Sequence, residues 1–260
     1  AASDVYKRQN RGSPRRKRWN RIYQHDGALA DLIQIVSMKK QSALLNFGKA
    51  GIIIKKGKIS YKRTEEFKMD KKNIDWSSLG FGYLPTDKRY VSNYKDGAWD
   101  EGMLTSDANV VINESAGVLQ YAQTCFEGMK AYTTEDGHIV TFRPDLNARR
   151  MADTAKRLEM APFPEERFVE AVKQVVAANA AYVPPYGSGA TLYIRPYMFG
   201  SNPVIAVKPA DEFQFRVFAT PVGPYFKGGA KPIAICVSDF DRAAPHGTGH
   251  VKAGLNLSLI

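Results

Sequence analysis

Two amphipathic helical segments followed by two long β-prone runs, all within residues 144–222, constrain this chain more than any other feature. In PDLNARRMADTAKRLEM, Pro144 and Asp145 suit a first helical turn, and Leu146, Met151, Ala155 and Leu158 fall on one side. In EERFVEAVKQVVAANAAY, Phe168, Val172, Val175 and Val176 recur at i, i+4, i+7 and i+8, a stripe that faces a core. Asn179, at i+11, breaks that stripe, so the apolar face ends about there. The runs ATLYIRPYMF, EFQFRVFATP and, further on, PIAICVS read as strands. Upstream, YVSNYKDGAWDEG and AYTTEDGHIVTF each set an Asp-Gly turn between β-prone segments, the signature of a hairpin. Strands, then helices, then strands again argue for a mixed α/β layer.

The Gly- and Pro-rich run TPVGPYFKGGAKP places a domain boundary near Gly223. The 260 residues are 44% hydrophobic, which suits one large or two modest globular domains. No apolar run approaches the ~18 residues that would cross a bilayer. A net charge of +11 invites a nucleic-acid or membrane-surface reading, and its distribution argues against one. Residues 1–68 hold 17 Lys and Arg against 5 Asp and Glu, whereas the remaining 192 residues hold 20 against 21. The body is electrostatically ordinary, and neither nucleic acid nor membrane is expected as its partner. Cys125 and Cys236 sit in apolar contexts without metal-ligand spacing. Both are expected in the core, with no metal site and a reducing, cytoplasmic setting.

Residues 1–68 show no sustained helical period, no strand alternation and no capping pattern. An Arg-rich, acid-poor start admits an organellar transit peptide or a basic nucleic-acid-binding arm. The run SDVYKRQ instead resembles a translated sequencing adapter. The segment is expected to be a non-native or disordered leader, with Met69 as the true start.

GTGHVKAG, near the other end, fails as a phosphate loop, because His250 and Val251 separate the last glycine from Lys252 and Ala253 follows it. It fails as a dinucleotide fingerprint because Lys252 occupies the final glycine's place. What remains is a lysine between glycines, which let backbone approach closely. Spacing alone leaves both a reactive amine and a solvated loop lysine open. In ATLYIRP, alternation puts Leu192 and Ile194 on one face and Tyr193 and Arg195 on the other, a plausible substrate wall.

From about Leu79 to Asn256, the runs GVLQYAQTCFEGMKAY, FRPDLNARRMADTAKRLEM, LYIRPYMFG, PVGPYFKGG and RAAPHGTGHVKAGLN resemble the branched-chain amino-acid aminotransferases. These are pyridoxal-phosphate enzymes of fold type IV. The resemblance implies an α+β (mixed α/β) fold, with the small domain over 69–222, an interdomain loop over 223–231 and the first strand and loop of the larger cofactor-binding domain over 232–256. It implies that Lys252 carries pyridoxal 5'-phosphate as a Schiff base and that Arg150 holds the cofactor phosphate. Arg195 would receive the distal carboxylate of glutamate or 2-oxoglutarate, and Tyr193 would shape the pocket for a branched-chain L-amino acid. Tyr121 and Phe126 match aromatic pocket residues, the tyrosine reaching the partner's site in a homodimer, and Tyr225 matches the loop that covers the pocket. Arg149 is expected to be solvated, His246 and His250 to be loop residues, and Arg242 to give structural support. D-amino-acid aminotransferases and aminodeoxychorismate lyases are the nearest alternatives within the fold.

The sequence departs from the family after KAGLN, where the family continues with a tyrosine and a long second part. Leu257 to Ile260 are expected to be an artefactual tail. The chain as written is expected to be an inactive fragment, because the carboxylate that pairs with the pyridinium nitrogen would lie further on.

Overall fold

The computed structural model describes residues 70–226, 232–237, 239 and 246–257, together with the backbone of 44–47, 50–55 and 58–63. The expected start at Met69, the Asp241–Arg242 pair, most of the leader and residues 258–260 lie outside the described residues. The chain divides into two compact units, Ala1–Lys68 and Met69–Ile260.

The first unit carries strands where none was expected. β1 (Leu44–Phe47), β2 (Ala50–Lys55) and β3 (Lys58–Arg63) form an antiparallel sheet in that order. Phe47 pairs with Ala50 and Lys55 with Lys58, so each connection is two residues, the length of a tight hairpin. Alternation failed as a signal because Ile52, Ile53 and Ile54 are consecutive rather than alternating.

The described residues of the second unit form a curled, eight-stranded antiparallel sheet with two long helices on one face. Its strands are β4 (Arg89–Lys95), β5 (Ala98–Trp99), β6 (Met103–Thr105), β7 (Thr124–Phe126), β8 (Met129–Thr133), β9 (Ile139–Thr141), β10 (Thr191–Gly200) and β11 (Phe213–Val222). They run in the order β5-β4-β11-β10-β8-β9, with β6 on β4 and β7 on β10. The β4–β5 hairpin closes through Asp96 and Gly97, whose φ values of 52° and 84° are those of a type I′ turn. The expected helices are α2 (Pro144–Arg157) and α3 (Glu165–Ala178); a short α1 (Gly117–Tyr121) precedes β7.

The α3 stripe packs as read: Phe168, Val172, Val175 and Val176 are all buried. Leu192, Ile194 and Met198 of β10 and Phe215 and Val217 of β11 meet it from the sheet. Phe163 stacks on Phe215 with ring centroids 3.9 Å apart. On α2 the buried face is Ala148, Met151, Ala152 and Ala155, while Leu146, expected inward, is exposed in the first turn. The expected strand in PIAICVS is absent: residues 232–237 have no regular structure and no pairing strand among the described residues. Cys236 is therefore exposed rather than in a core, unlike the fully buried Cys125. No helix among the described residues is long and apolar enough to cross a membrane.

Asn179 ends the stripe because it caps α3. Its buried amide donates from Nδ2 to the carbonyls of Lys88 and Val175, both at 2.8 Å, and accepts the Lys88 N–H at 3.0 Å. The amide thus ties the end of α3 to the start of β4. Asn179→Ala strands a buried backbone donor and acceptor, and is expected to destabilise the chain by about 2 kcal/mol. A urea-midpoint comparison checks this; an unchanged midpoint would mean that water replaces the amide.

Candidate active site

The face of β10 away from the helices carries Tyr193 and Arg195. The Arg195 guanidinium donates from Nη2 and Nε to the Tyr193 hydroxyl, at 2.9 and 3.2 Å. It lies 4.6 Å from the Phe126 ring centroid and 5.3 Å from that of Tyr193. Phe126 ends β7, which pairs with β10 through Tyr197. The β7 and β8 registers on β10 are continuous, which sets Glu127 against Pro196 and Gly128 against Arg195. Gly128 leaves room for the tyrosine, because a Cβ there would sit 2.4 Å from the Tyr193 hydroxyl and push that ring aside. Sequence local to β8 therefore decides whether the Tyr193–Arg195 pair can form.

The lysine loop docks on the other side of Phe126. Cys125 forms an antiparallel bridge with Ala253, and the Phe126 N–H donates to the Lys252 carbonyl at 3.4 Å. The Lys252 N–H donates to Thr154 Oγ1 at 3.1 Å, and that hydroxyl donates in turn to the Arg150 carbonyl. With its backbone fixed from two sides, Lys252 is half-buried and places Nζ 4.6 Å from the Phe126 centroid. Asn256 closes the loop: its Nδ2 donates to the carbonyls of Thr248 and Val251, and its Oδ1 accepts from Thr248 Oγ1. Gly254 permits the approach to β7, since a Cβ there would meet Thr124 Cγ2 at 2.6 Å.

Arg150 lies one helical turn before Thr154 and projects toward the residue after Phe126. Its Nε and Nη2 donate to the two oxygens of Glu127, each at 2.6 Å, and Asn147 Nδ2 donates to the same carboxylate at 2.7 Å. Glu127 is 0% exposed, whereas the Arg150 side chain is 54% exposed. A buried carboxylate thus anchors a guanidinium whose outer edge is open, a fork suited to a second anion. The Glu127 pair also raises the Arg150 pKa above the ordinary guanidinium range. Burial, with the Glu127 charge adding, pushes the Cys125 thiol up to about 12, so it stays protonated at neutral pH.

The remaining expected residues divide. Tyr225 joins the group through Phe81, whose ring lies edge-on to Tyr193 at 5.4 Å and to Tyr225 at 5.7 Å. Tyr121 does not sit on this wall. It donates to the Ile205 carbonyl and lines a separate cavity of about 330 Å³ with Gln123, Val207 and Leu255. Arg149 reaches toward Glu165 at the exposed end of α3, and His246 and His250 are exposed loop residues. Among the described residues no three His, Cys, Asp or Glu side chains gather as a metal site would require.

The arrangement of lysine, two arginines and aromatic wall can be compared with known proteins. No protein-family model matches the chain. A branched-chain-amino-acid aminotransferase of Haemophilus influenzae is 54% identical over 185 residues, which cover 71% of this chain and 54% of that protein. One of Helicobacter pylori is 46% identical over 186 residues, 71% of this chain and 55% of that protein. Over those residues the chain is similar to the branched-chain-amino-acid aminotransferases. The crystal structure of the Escherichia coli branched-chain amino acid aminotransferase superposes with a TM-score of 0.52 at 25% identity, over 66% of this chain and 52% of that one. The chain spans about half the length of the curated relatives it matches.

Three members of this side-chain group were not singled out from sequence: Glu127, Asn256 and Phe81. Glu127 had a usable signal, an acid inside the apolar strand context TCFEGM, which demands a partner once buried. Asn256 had a weaker one, a side chain with both donor and acceptor just after a glycine-rich turn. Phe81 stands between Gly80 and Gly82 before the first strand of its unit, and nothing local distinguishes it from a loop aromatic.

Proposed function

We propose that the protein carrying this chain is a pyridoxal-phosphate-dependent transaminase acting on L-leucine, L-isoleucine and L-valine with 2-oxoglutarate. The observation that carries the reading is the Lys252 amine seated on the same ring, Phe126, as the Arg195 guanidinium. The side chains present suit the cofactor at two of its ends: a primary amine for the aldehyde and an open-edged guanidinium, Arg150, for the phosphate. When bound, the cofactor supplies the electron sink that stabilises negative charge at the substrate Cα.

This chain's own residues do the rest. Lys252 Nζ would hold the aldehyde and, once free of it, take the proton from the substrate Cα. Thr154 and Phe126 fix the backbone on which that amine pivots. Arg195 and Tyr193 give two kinds of wall in one place. The rings of Phe126 and Tyr193 accept a branched aliphatic side chain, and the guanidinium edge accepts the distal carboxylate of glutamate. Phe81 and Tyr225 extend that wall and would keep water from it. On the same reading Tyr121, set apart from the lysine, serves the second subunit of a homodimer.

A substrate panel on the full-length protein tests the reaction. Turnover of the three branched-chain L-amino acids with 2-oxoglutarate is expected; turnover of D-alanine in their place would reassign the enzyme within the fold. Arg195→Gln separates the two walls. The expected result is a loss of about 100-fold in kcat/KM for glutamate with leucine changed only a few-fold. Equal losses for both substrates would reduce Arg195 to a strut for the aromatic wall.

A further inference from the structure

Beyond Arg195, on the same face of the sheet, lies a second cationic cavity that the transaminase reading leaves unused. Arg216 pairs across the strands with Tyr197, and Phe218 with Arg195, so this cavity adjoins the candidate active site through Phe218. It measures about 310 Å³, at the small end of ligand sites. Arg89, Arg216, Tyr83, Tyr197, Val217 and Phe218 line it. Arg89 and Arg216 are only 5% and 7% exposed.

The two guanidiniums are held in place by neutral groups. Arg89 donates to the carbonyls of Thr86 and Ser106, and Arg216 to Gln214 Oε1 at 2.9 Å and the Asp107 carbonyl at 3.3 Å. Among the described residues neither forms an ion pair. The nearby Asp107 carboxylate is committed elsewhere, accepting from the Asn109 backbone and side-chain amides at 2.9 Å. Those hydrogen bonds lower its pKa first, and the fields of Arg216 and Arg89 lower it further. Burial raises the Tyr197 hydroxyl pKa, and the same two arginines oppose that rise. Two buried cations side by side are unfavourable unless an anion joins them. The walls of Tyr83, Tyr197 and Phe218 are aromatic, which suits an anion with an apolar body better than an inorganic one.

We propose that the Arg89–Arg216 cavity binds the carboxylate of an organic acid with an apolar body, at a site separate from the Lys252 group. The carboxylate has two sources, a free small acid or an acidic side chain of a second copy of this chain. Isothermal titration of the purified 260-residue chain with benzoate, and with its neutral isostere benzamide, tests the shared chemistry. Benzoate is expected to bind saturably and benzamide at least tenfold more weakly, a comparison that needs no variant. Arg89→Gln and Arg216→Gln should each weaken benzoate at least tenfold, Arg216→Lys less, and Arg195→Gln should leave it within twofold. If the source is a second copy, sedimentation will show a self-associating chain whose association weakens tenfold in Arg216→Gln and is dispersed by benzoate. The proposal is overturned if benzoate and benzamide bind alike and self-association ignores Arg216. It is equally overturned if benzoate binding follows Arg195 instead.

Discussion

Replacing Lys252 by alanine is expected to abolish the borohydride-fixed pyridoxyl adduct of the full-length protein and to lower L-leucine transamination by at least about 1,000-fold. The size follows from the number of tasks one amine performs, since the same nitrogen would hold the aldehyde and move the Cα proton. The structure also says what the substitution should leave alone. The loop is fixed by main-chain bonds from Phe126 and to Thr154 and by the Asn256 clamp, none of which uses the lysine side chain. That main-chain frame should therefore persist in the variant, so that a lost adduct reports the missing amine. Lys252→Arg keeps a cation over Phe126 but supplies no amine that can shed its proton near neutral pH, so it should be as inactive as alanine. Mass spectrometry of the reduced, digested protein reads the adduct directly. An adduct on another lysine, with Lys252→Ala still active, would remove the proposed chemistry from this loop.

The parts of the fold legible in the sequence are those where periodicity and burial coincide. The α3 stripe is long and one-sided, the β10 and β11 runs are long and rich in β-prone residues, and the structure follows them closely. The Asp-Gly hairpins are legible because few residues accept the positive φ that such turns impose. Legibility failed where partnership rather than pattern decides. PIAICVS has a strand's composition, but no described strand pairs with it, and Ile233, Ile235 and Val237 stay exposed. Leu146 has the right period for the α2 face, yet it lies in the first turn, beyond the edge of the sheet-covered surface. Residues 44–63 failed in the opposite sense, because hairpins were present where the apolar run did not alternate. At the site, Lys252 and Arg195 could be named in advance through the resemblance of GTGHVKAG and LYIRP to a known family, since spacing alone left a solvated loop lysine open. Glu127 was not named: an acid inside TCFEGM signals that some partner is needed, but only the fold sets that partner as Arg150.

That pairing carries the second large effect. Arg150→Ala leaves the Glu127 carboxylate wholly buried with Asn147 as its remaining side-chain donor. Removing one member of a buried pair costs about 3–5 kcal/mol, and the half-exposed arginine argues for the lower end, about 3 kcal/mol. Glu127→Gln keeps the shape and removes the charge, so the loss should be smaller, because Arg150 can turn its edge to water. In the double variant Arg150→Ala, Glu127→Gln, most of the stability should return, with a coupling of about 2 kcal/mol between the two sites. Affinity for pyridoxal phosphate behaves differently if Arg150 grips the phosphate as proposed. It should fall at least 100-fold in both Arg150 variants, and the double variant should not recover it. Glu127→Gln should weaken the cofactor by less than tenfold, through looser aim of a guanidinium that is still present. Stability that recovers while affinity does not is the signature of an arginine held by one anion in order to bind another. If affinity instead tracks stability across all three variants, Arg150 only fastens α2 to the β7–β8 junction, and the phosphate must be held elsewhere.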